Sequence, residues 1–240
     1  MKPTRIYYEL RDALQQNGCP ACRVVYKAGD RFVDGLLYEK VNDPGLRERI
    51  RAARGFCHEH AGMLNRHGAS LGVAIMMRDV LGDLLAKTEG KVSHKREASA
   101  HQILDMLRSQ EPTYPSLMAA LSSREICPVC AVEQETEDTA CDVLLEHLSG
   151  ENELLSLYQD SDGLCLHHFR RAVARAPVDV DIKKLVAAQR HIWKHLEKAL
   201  SELIRTSDYR FRQEAMSPEG ASWLRAIAAL SGEDRSSLRY

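Results

Sequence analysis

Six of the seven cysteines fall into two kinds of short motif, C-P-x-C and C-x-x-H. The first kind is Cys19-Pro-Ala-Cys22 and Cys127-Pro-Val-Cys130, and the second is Cys57-His-Glu-His60 and Cys165-Leu-His-His168. Thiolates and imidazoles at these spacings are the donors of a tetrahedral metal ion, with bonds of about 2.3 Å to sulfur and about 2.0 Å to nitrogen. Three thiolates and one imidazole fill the coordination shell and leave no position for water, which points to a structural ion, zinc being the expected one. The same donors can hold an iron–sulfur cluster, which would make the chain an electron carrier. A C-P-x-C at a helix N-terminus is also where a redox dithiol sits, because that position lowers a thiol pKa. The dithiol reading lacks a βαβ context and leaves the recurring C-x-x-H unexplained. A c-type haem would need histidine directly after the second cysteine, where Arg23 and Ala131 stand.

One offset relates all four ligand pairs. Going from 19 to 127, from 22 to 130, from 57 to 165 and from 60 to 168 is the same step each time. That step also carries Pro20 to Pro128, Val24 to Val132, Asp34 to Asp142, Leu36 and Leu37 to Leu144 and Leu145, and Gly55 to Gly163. A fixed offset of this kind is the mark of an internal duplication. It also sorts the histidines, because His58 falls on Leu166 and His167 on Glu59, whereas His60 falls on His168. The expected ligand sets are therefore Cys19, Cys22, Cys57 and His60 in the first copy, and Cys127, Cys130, Cys165 and His168 in the second. The seventh cysteine, Cys141, falls on Val33 and is read as a small buried apolar side chain.

The elements that must position these donors read as helices. Arg23 to Glu39 and Ala131 to His147 lack proline and place apolar residues at roughly helical spacing, so each C-P-x-C opens a helix. Asn42-Asp43-Pro44-Gly45 and Ser149-Gly150-Glu151-Asn152 break the chain, and Gly55 and Gly163 permit a sharp turn into each C-x-x-H. Leu71 to Leu85, Lys95 to Ser109, Ile182 to Arg205 and Ala221 to Ser231 complete the helical set. In the long one, Leu185, Ile192, Leu196, Ala199 and Leu203 form a core-facing seam. Alternating β-branched runs are scarce, so the expected fold class is all-α: two pseudo-symmetric duplicated helical units, each with a Cys3His site. The expected division is a first repeat over 1–92, a connecting helix over 93–111, a second repeat over 112–206 and a C-terminal docking segment over 207–240.

Lys and Arg total 33 against 34 Asp and Glu, a formal charge of −1, which removes the electrostatic case for a dedicated nucleic-acid binder. The charged start, Met1-Lys-Pro-Thr-Arg5, lacks the apolar run of an export signal, and no stretch approaches the roughly 20 apolar residues that cross a bilayer. A cytoplasmic protein, with other proteins as its partners and no membrane, is expected. Alternating carboxylates such as Glu133, Glu135 and Glu137 are read as the solvated face of their helix. Arg47, Arg51 and Arg54 before Cys57, and Arg170, Arg171 and Arg175 after His168, are read as charge-balancing or solvated groups beside thiolate-rich sites.

The chain resembles a family of bacterial and archaeal proteins described as a domain of unknown function, whose members look like duplicated C-P-x-C and G-F-C-x-x-H proteins. The resemblance rests on Cys19-Pro-Ala-Cys22, Gly55-Phe-Cys-His-Glu-His60, Leu71-Gly-Val-Ala-Ile-Met76, Cys127-Pro-Val-Cys130, Gly163-Leu-Cys-Leu-His-His168, and Asp208-Tyr-Arg-Phe211 with Glu214. Leu164 stands where the family often has Phe and His167 where it often has Pro, departures that leave the ligand positions untouched. The ending, with Trp223 just before an apolar helix, is similar too. The resemblance implies metal binding at the eight residues and no particular activity. The function expected from all of this is a metal-binding, non-enzymatic interaction or scaffold protein.

Overall fold

Thr4 accepts a hydrogen bond from the Tyr7 N–H at 3.3 Å. It thereby caps the first helix, α1 (Arg5–Leu14), whose Tyr7, Leu10 and Leu14 fall on one buried face. In the computed structural model, residues 3–89, 114–148, 154–178, 180, 182–207 and 218–235 are described. The helix expected over 95–109 and the segment 208–214 lie outside the described residues.

Ten further α-helices follow among the described residues: α2 (Pro20–Tyr38), α3 (Pro44–Ala52), α4 (His58–Gly62), α5 (Ser70–Thr88), α6 (Pro115–Leu121), α7 (Pro128–Glu146), α8 (Leu155–Asp160), α9 (Leu166–Arg175), α10 (Ile182–Thr206) and α11 (Ser222–Ser231). A 3-10 turn, Pro218–Ala221, leads into the last. No strand occurs among the described residues, so the fold is all-helical. No described helix is long and apolar enough to cross a membrane.

The start signals are legible. Pro20 and Pro128 occupy the first position of their helices, where an N–H would have no partner in any case. Asp43 is the N-cap of α3, its Oδ1 accepting from the Leu46 N–H at 2.7 Å. The expected breaker at 42–45 is therefore also a helix start. The offset between the copies carries α2 onto α7 residue for residue, both being 19 residues long.

The chain divides into two compact units. One unit joins Met1–Ala28 to Glu133–Tyr240, and the other is Gly29–Val132. The boundaries fall inside α2 and α7, so each of these helices begins in one unit and ends in the other. The reason is length. With a helical rise of about 1.5 Å per residue, α2 carries the chain about 28 Å from Pro20, and the shorter α3 can retrace at most about 13 Å of it before Cys57. Each C-x-x-H is thereby delivered to the unit holding the far end of its own long helix.

In the unit containing both termini, α8 and α9 lie with α10 and α11, and the core is built from Leu10, Leu14, Val24, Leu144, Tyr158 and Leu185. In the other, α5 packs on α3 and α6 around Val33, Leu36, Ile50, Met63, Met76 and Val129. Of the expected seam on α10, Leu185, Ile192 and Ala199 are buried, and Leu196 and Leu203 are half-buried. Burying a side chain such as Leu185 is worth about 1.5–3 kcal/mol.

Candidate metal centres

Cys19 directly precedes α2 and Cys22 lies in its first turn, while Cys165 caps α9 and His168 follows one turn later. On a helical turn, residues three apart share a face, so each motif aims both donors the same way. The structure brings Cys19 and Cys22 together with Cys165 and His168, and Cys127 and Cys130 together with Cys57 and His60. All eight expected residues thus gather into two sets of three cysteines and one histidine. The grouping expected from the sequence, in which each C-P-x-C takes the C-x-x-H that follows it, is corrected: the partners are exchanged between the copies. Both groupings satisfy the same offset, and the reach of α2 and α7 decides between them.

In the first cluster Cys22 Sγ lies 3.9 Å from Cys165 Sγ, and His168 Nδ1 lies 3.5, 3.4 and 3.1 Å from the sulfurs of Cys19, Cys22 and Cys165. In the second, Cys57 Sγ lies 3.7 Å from Cys130 Sγ, and His60 Nδ1 lies 3.2, 3.6 and 3.3 Å from the sulfurs of Cys57, Cys127 and Cys130. A tetrahedral ion with ordinary zinc bond lengths would set sulfur–sulfur edges of about 3.8 Å and sulfur–nitrogen edges of about 3.6 Å. Either set fits one such ion, through Nδ1 of its histidine.

The turn into Cys165 is tightly held. Gly163 has φ +71°, and a Cβ there would come within 2.9 Å of Ile192 Cδ1 and 3.0 Å of the Gln189 amide. The Leu164 N–H donates to Gln189 Oε1 at 3.1 Å and to Tyr158 Oη at 3.2 Å, and the Tyr158 hydroxyl donates to Gln189 Oε1. On the other side, the Cys19 N–H donates to Glu233 Oε1 at 3.1 Å and the Gly18 N–H to Asp162 Oδ2 at 2.8 Å. A Cβ on Gly232 would lie 3.7 and 3.9 Å from the sulfurs of Cys22 and Cys165, so the chain after α11 runs directly over this cluster.

Crowded thiols do not ionise alike. Burial, and then the neighbouring Cys165 and Cys22, push the Cys19 thiol well above its ordinary value. Hydrogen bonds from Cys19 and Cys22 hold Cys165 far below it. Burial, and then repulsion from Cys127, raise Cys130 to about 12. Burial also opposes ionisation of Cys127, but His60 and the backbone N–H groups of Cys130, Cys57 and Val129 outweigh it and bring that thiol to about 6. Burial would depress His168, yet its contacts with Cys165 and Cys22 prevail and raise it to about 10. One thiolate forms at the expense of its neighbours, and a divalent cation is what lets all three ionise together.

A model of a family of unknown function (DUF6062) matches residues 1–237. The chain belongs to that family. An uncharacterised 23.9 kDa protein encoded in the xynA 3' region of Caldicellulosiruptor sp. (strain Rt8B.4) is 24% identical over 190 residues, covering 79% of each chain. No solved structure matches.

In this family member the sequence reading missed Glu137. Taken as part of a solvated carboxylate face, it is buried, with Oε1 3.3 Å from His168 Nε2 and 2.5 Å from His167 Nε2, and Oε2 3.4 Å from Arg171. His168 thus turns Nδ1 to the thiols and Nε2 to a carboxylate, the arrangement that fixes the tautomer of metal-binding imidazoles. The offset places Gly29 where Glu137 stands, so a search for residues present in both copies passes over it. His58 is exposed, and His167 contacts Glu137 and no thiol in the described clusters.

Five of the six arginines beside the motifs meet carboxylates. Arg47 and Arg51 bind Asp79 at 3.2 and 2.6 Å, and Arg54 binds Asp83 at 2.6 Å and donates to the Ala120 carbonyl. Arg171 binds Asp138 at 2.7 Å and Arg175 binds Asp142 at 2.5 Å. Cys141 is buried in the core, its thiol raised to about 12 first by burial and then by Glu137, in keeping with an apolar role.

Proposed function

We propose that the protein is a metal-stabilised helical scaffold that carries one zinc ion in each Cys3His cluster and serves other proteins as an interaction partner. The observation that carries this reading is the closed set of four donors, twice over, at the mutual distances of a single tetrahedral ion. A cluster of iron and sulfide interposes its own atoms between thiolates on different irons, so donors this close favour one ion per site over the iron–sulfur alternative. A filled shell leaves no open position for substrate, which favours a structural ion.

Each ion ties together remote stretches of chain: Cys22 and Cys165 are 143 residues apart, and His60 and Cys127 are 67 apart. Zinc binding to comparable donor sets in small peptides is worth about 10–16 kcal/mol, far more than either unit needs from a single interaction. All seven cysteines are free thiols, which suits a reducing, cytoplasmic setting.

The test is elemental analysis with a visible spectrum on native protein purified without oxygen. About two zinc ions per chain and no colour are expected. Iron with sulfide and a brown absorbance would replace the zinc reading with electron transfer.

A further inference from the structure

The two centres are built from the same donors but are protected very differently. In the Cys19–Cys22–Cys165–His168 centre all four ligands are buried, whereas in the other Cys57 and Cys130 are only partly buried. The buried centre has Glu137 behind its histidine, the Glu233 carboxylate on the Cys19 N–H, and the Gly232 backbone against two of its sulfurs. The sulfurs of the two partly buried residues, Cys57 and Cys130, lie 3.7 Å apart.

We infer that the Cys57–His60–Cys127–Cys130 centre is a peroxide-responsive metal switch, in which oxidation joins Cys57 to Cys130 and expels the ion, while the other centre holds its ion permanently. The inference rests on the metal reading above. Thiolate character and access decide which cysteine an oxidant reaches, and only this centre combines a metal-held thiolate with exposure.

The step balances with a hydroperoxide as oxidant. One thiolate sulfur attacks the peroxide oxygen, the O–O bond breaks, and hydroxide leaves to give a sulfenic acid. The second thiolate attacks that sulfur, forming the S–S bond and expelling a second hydroxide. Two thiolates lose two electrons, and peroxide gains them. With two of four donors consumed, the ion departs. The two sulfurs start 3.7 Å apart within the second unit, and the disulfide brings them to about 2.05 Å.

Zinc-loaded full-length protein is treated with hydrogen peroxide under argon in the presence of a chromophoric zinc chelator, and the thiols are trapped for peptide mapping. The expected result is a fast phase releasing about one zinc per chain, with Cys57 disulfide-linked to Cys130. The second zinc should follow at least about tenfold more slowly, because all four of its ligands are buried from the oxidant. Cys57→Ala, loaded to its own capacity, should lack the fast phase. If that variant does not fold, the two-phase release and the mapped bond in the native protein decide alone. Release of both ions at one rate, or first oxidation at Cys22 and Cys165, overturns the inference while leaving two zinc sites in place. Native protein that purifies with no bound metal overturns the metal reading itself.

Discussion

Replacing Cys22 by serine separates the exchanged grouping of the ligands from the consecutive one. In the structure Cys22 Sγ sits 3.9 Å from Cys165 Sγ and 3.4 Å from His168 Nδ1, so the substitution cripples the centre that bridges those 143 residues. A serine hydroxyl is a poor zinc ligand, and about one ion per chain should be lost. A cross-link closing a loop of that length restricts the unfolded chain by about 5 kcal/mol, a third or more of a typical domain's stability. Both tryptophans, Trp193 and Trp223, belong to the unit that contains this centre, so their fluorescence reports its unfolding. In urea the fluorescence transition should move to distinctly lower denaturant. The decisive assay is a thiol footprint with a small alkylating reagent under native conditions. Cys19 and Cys165 should become reactive, and Cys127 should stay as protected as in the parent chain. Labelling of Cys57 together with continued protection of Cys165 would refute the exchanged pairing and restore the consecutive one.

Glu137→Gln should weaken metal retention about 10–100-fold at the Cys165 centre alone, read as faster loss of one of the two ions to a competing chelator; an equal effect on both ions would show that the carboxylate does not act through His168. Gly163→Ala should destabilise more than Gly55→Ala, because both glycines have positive φ but only at Gly163 does the added carbon meet Ile192 and Gln189. Thermal unfolding of the two variants measures the difference, and equal midpoints would contradict it. Tyr158→Phe removes the hydroxyl that donates to Gln189 and accepts from the Leu164 N–H. Chemical denaturation should show a loss of about 1–3 kcal/mol with the metal content unchanged; a variant as stable as the parent would show that the hydroxyl is dispensable to the turn.

The helices were legible because their punctuation is local. Proline after Cys19 and Cys127, the Asp43-Pro44 start and the glycines at 55 and 163 act within a few residues of where they stand, so the reading of the long helices agrees closely with their ends. The eight donors were legible because their types recur at one fixed offset. Their grouping was not, since exchanging partners between copies leaves every residue type and the offset unchanged, and only the length of α2 and α7 in space distinguishes the alternatives. Glu137 was hidden for the opposite reason. It belongs to one copy only, and its neighbours Glu133 and Glu135 make it look like part of a charged surface until His168, well down the chain, is found against it.

The exchange of partners also makes the two centres nest like brackets in the chain, and a nascent chain must close brackets from the inside outward. Cys19 and Cys22 leave the ribosome first, yet the last donor they need, His168, is 146 residues beyond Cys22. At about 5–20 residues per second that is roughly 7–30 s of synthesis. The inner set is complete once Cys130 has emerged, well before the outer one. Throughout that interval the earliest pair of thiols in the polypeptide has no histidine to complete its shell. Premature termination between residues 130 and 165 would leave that pair exposed to stray metal and oxidant although the inner set of four donors is complete.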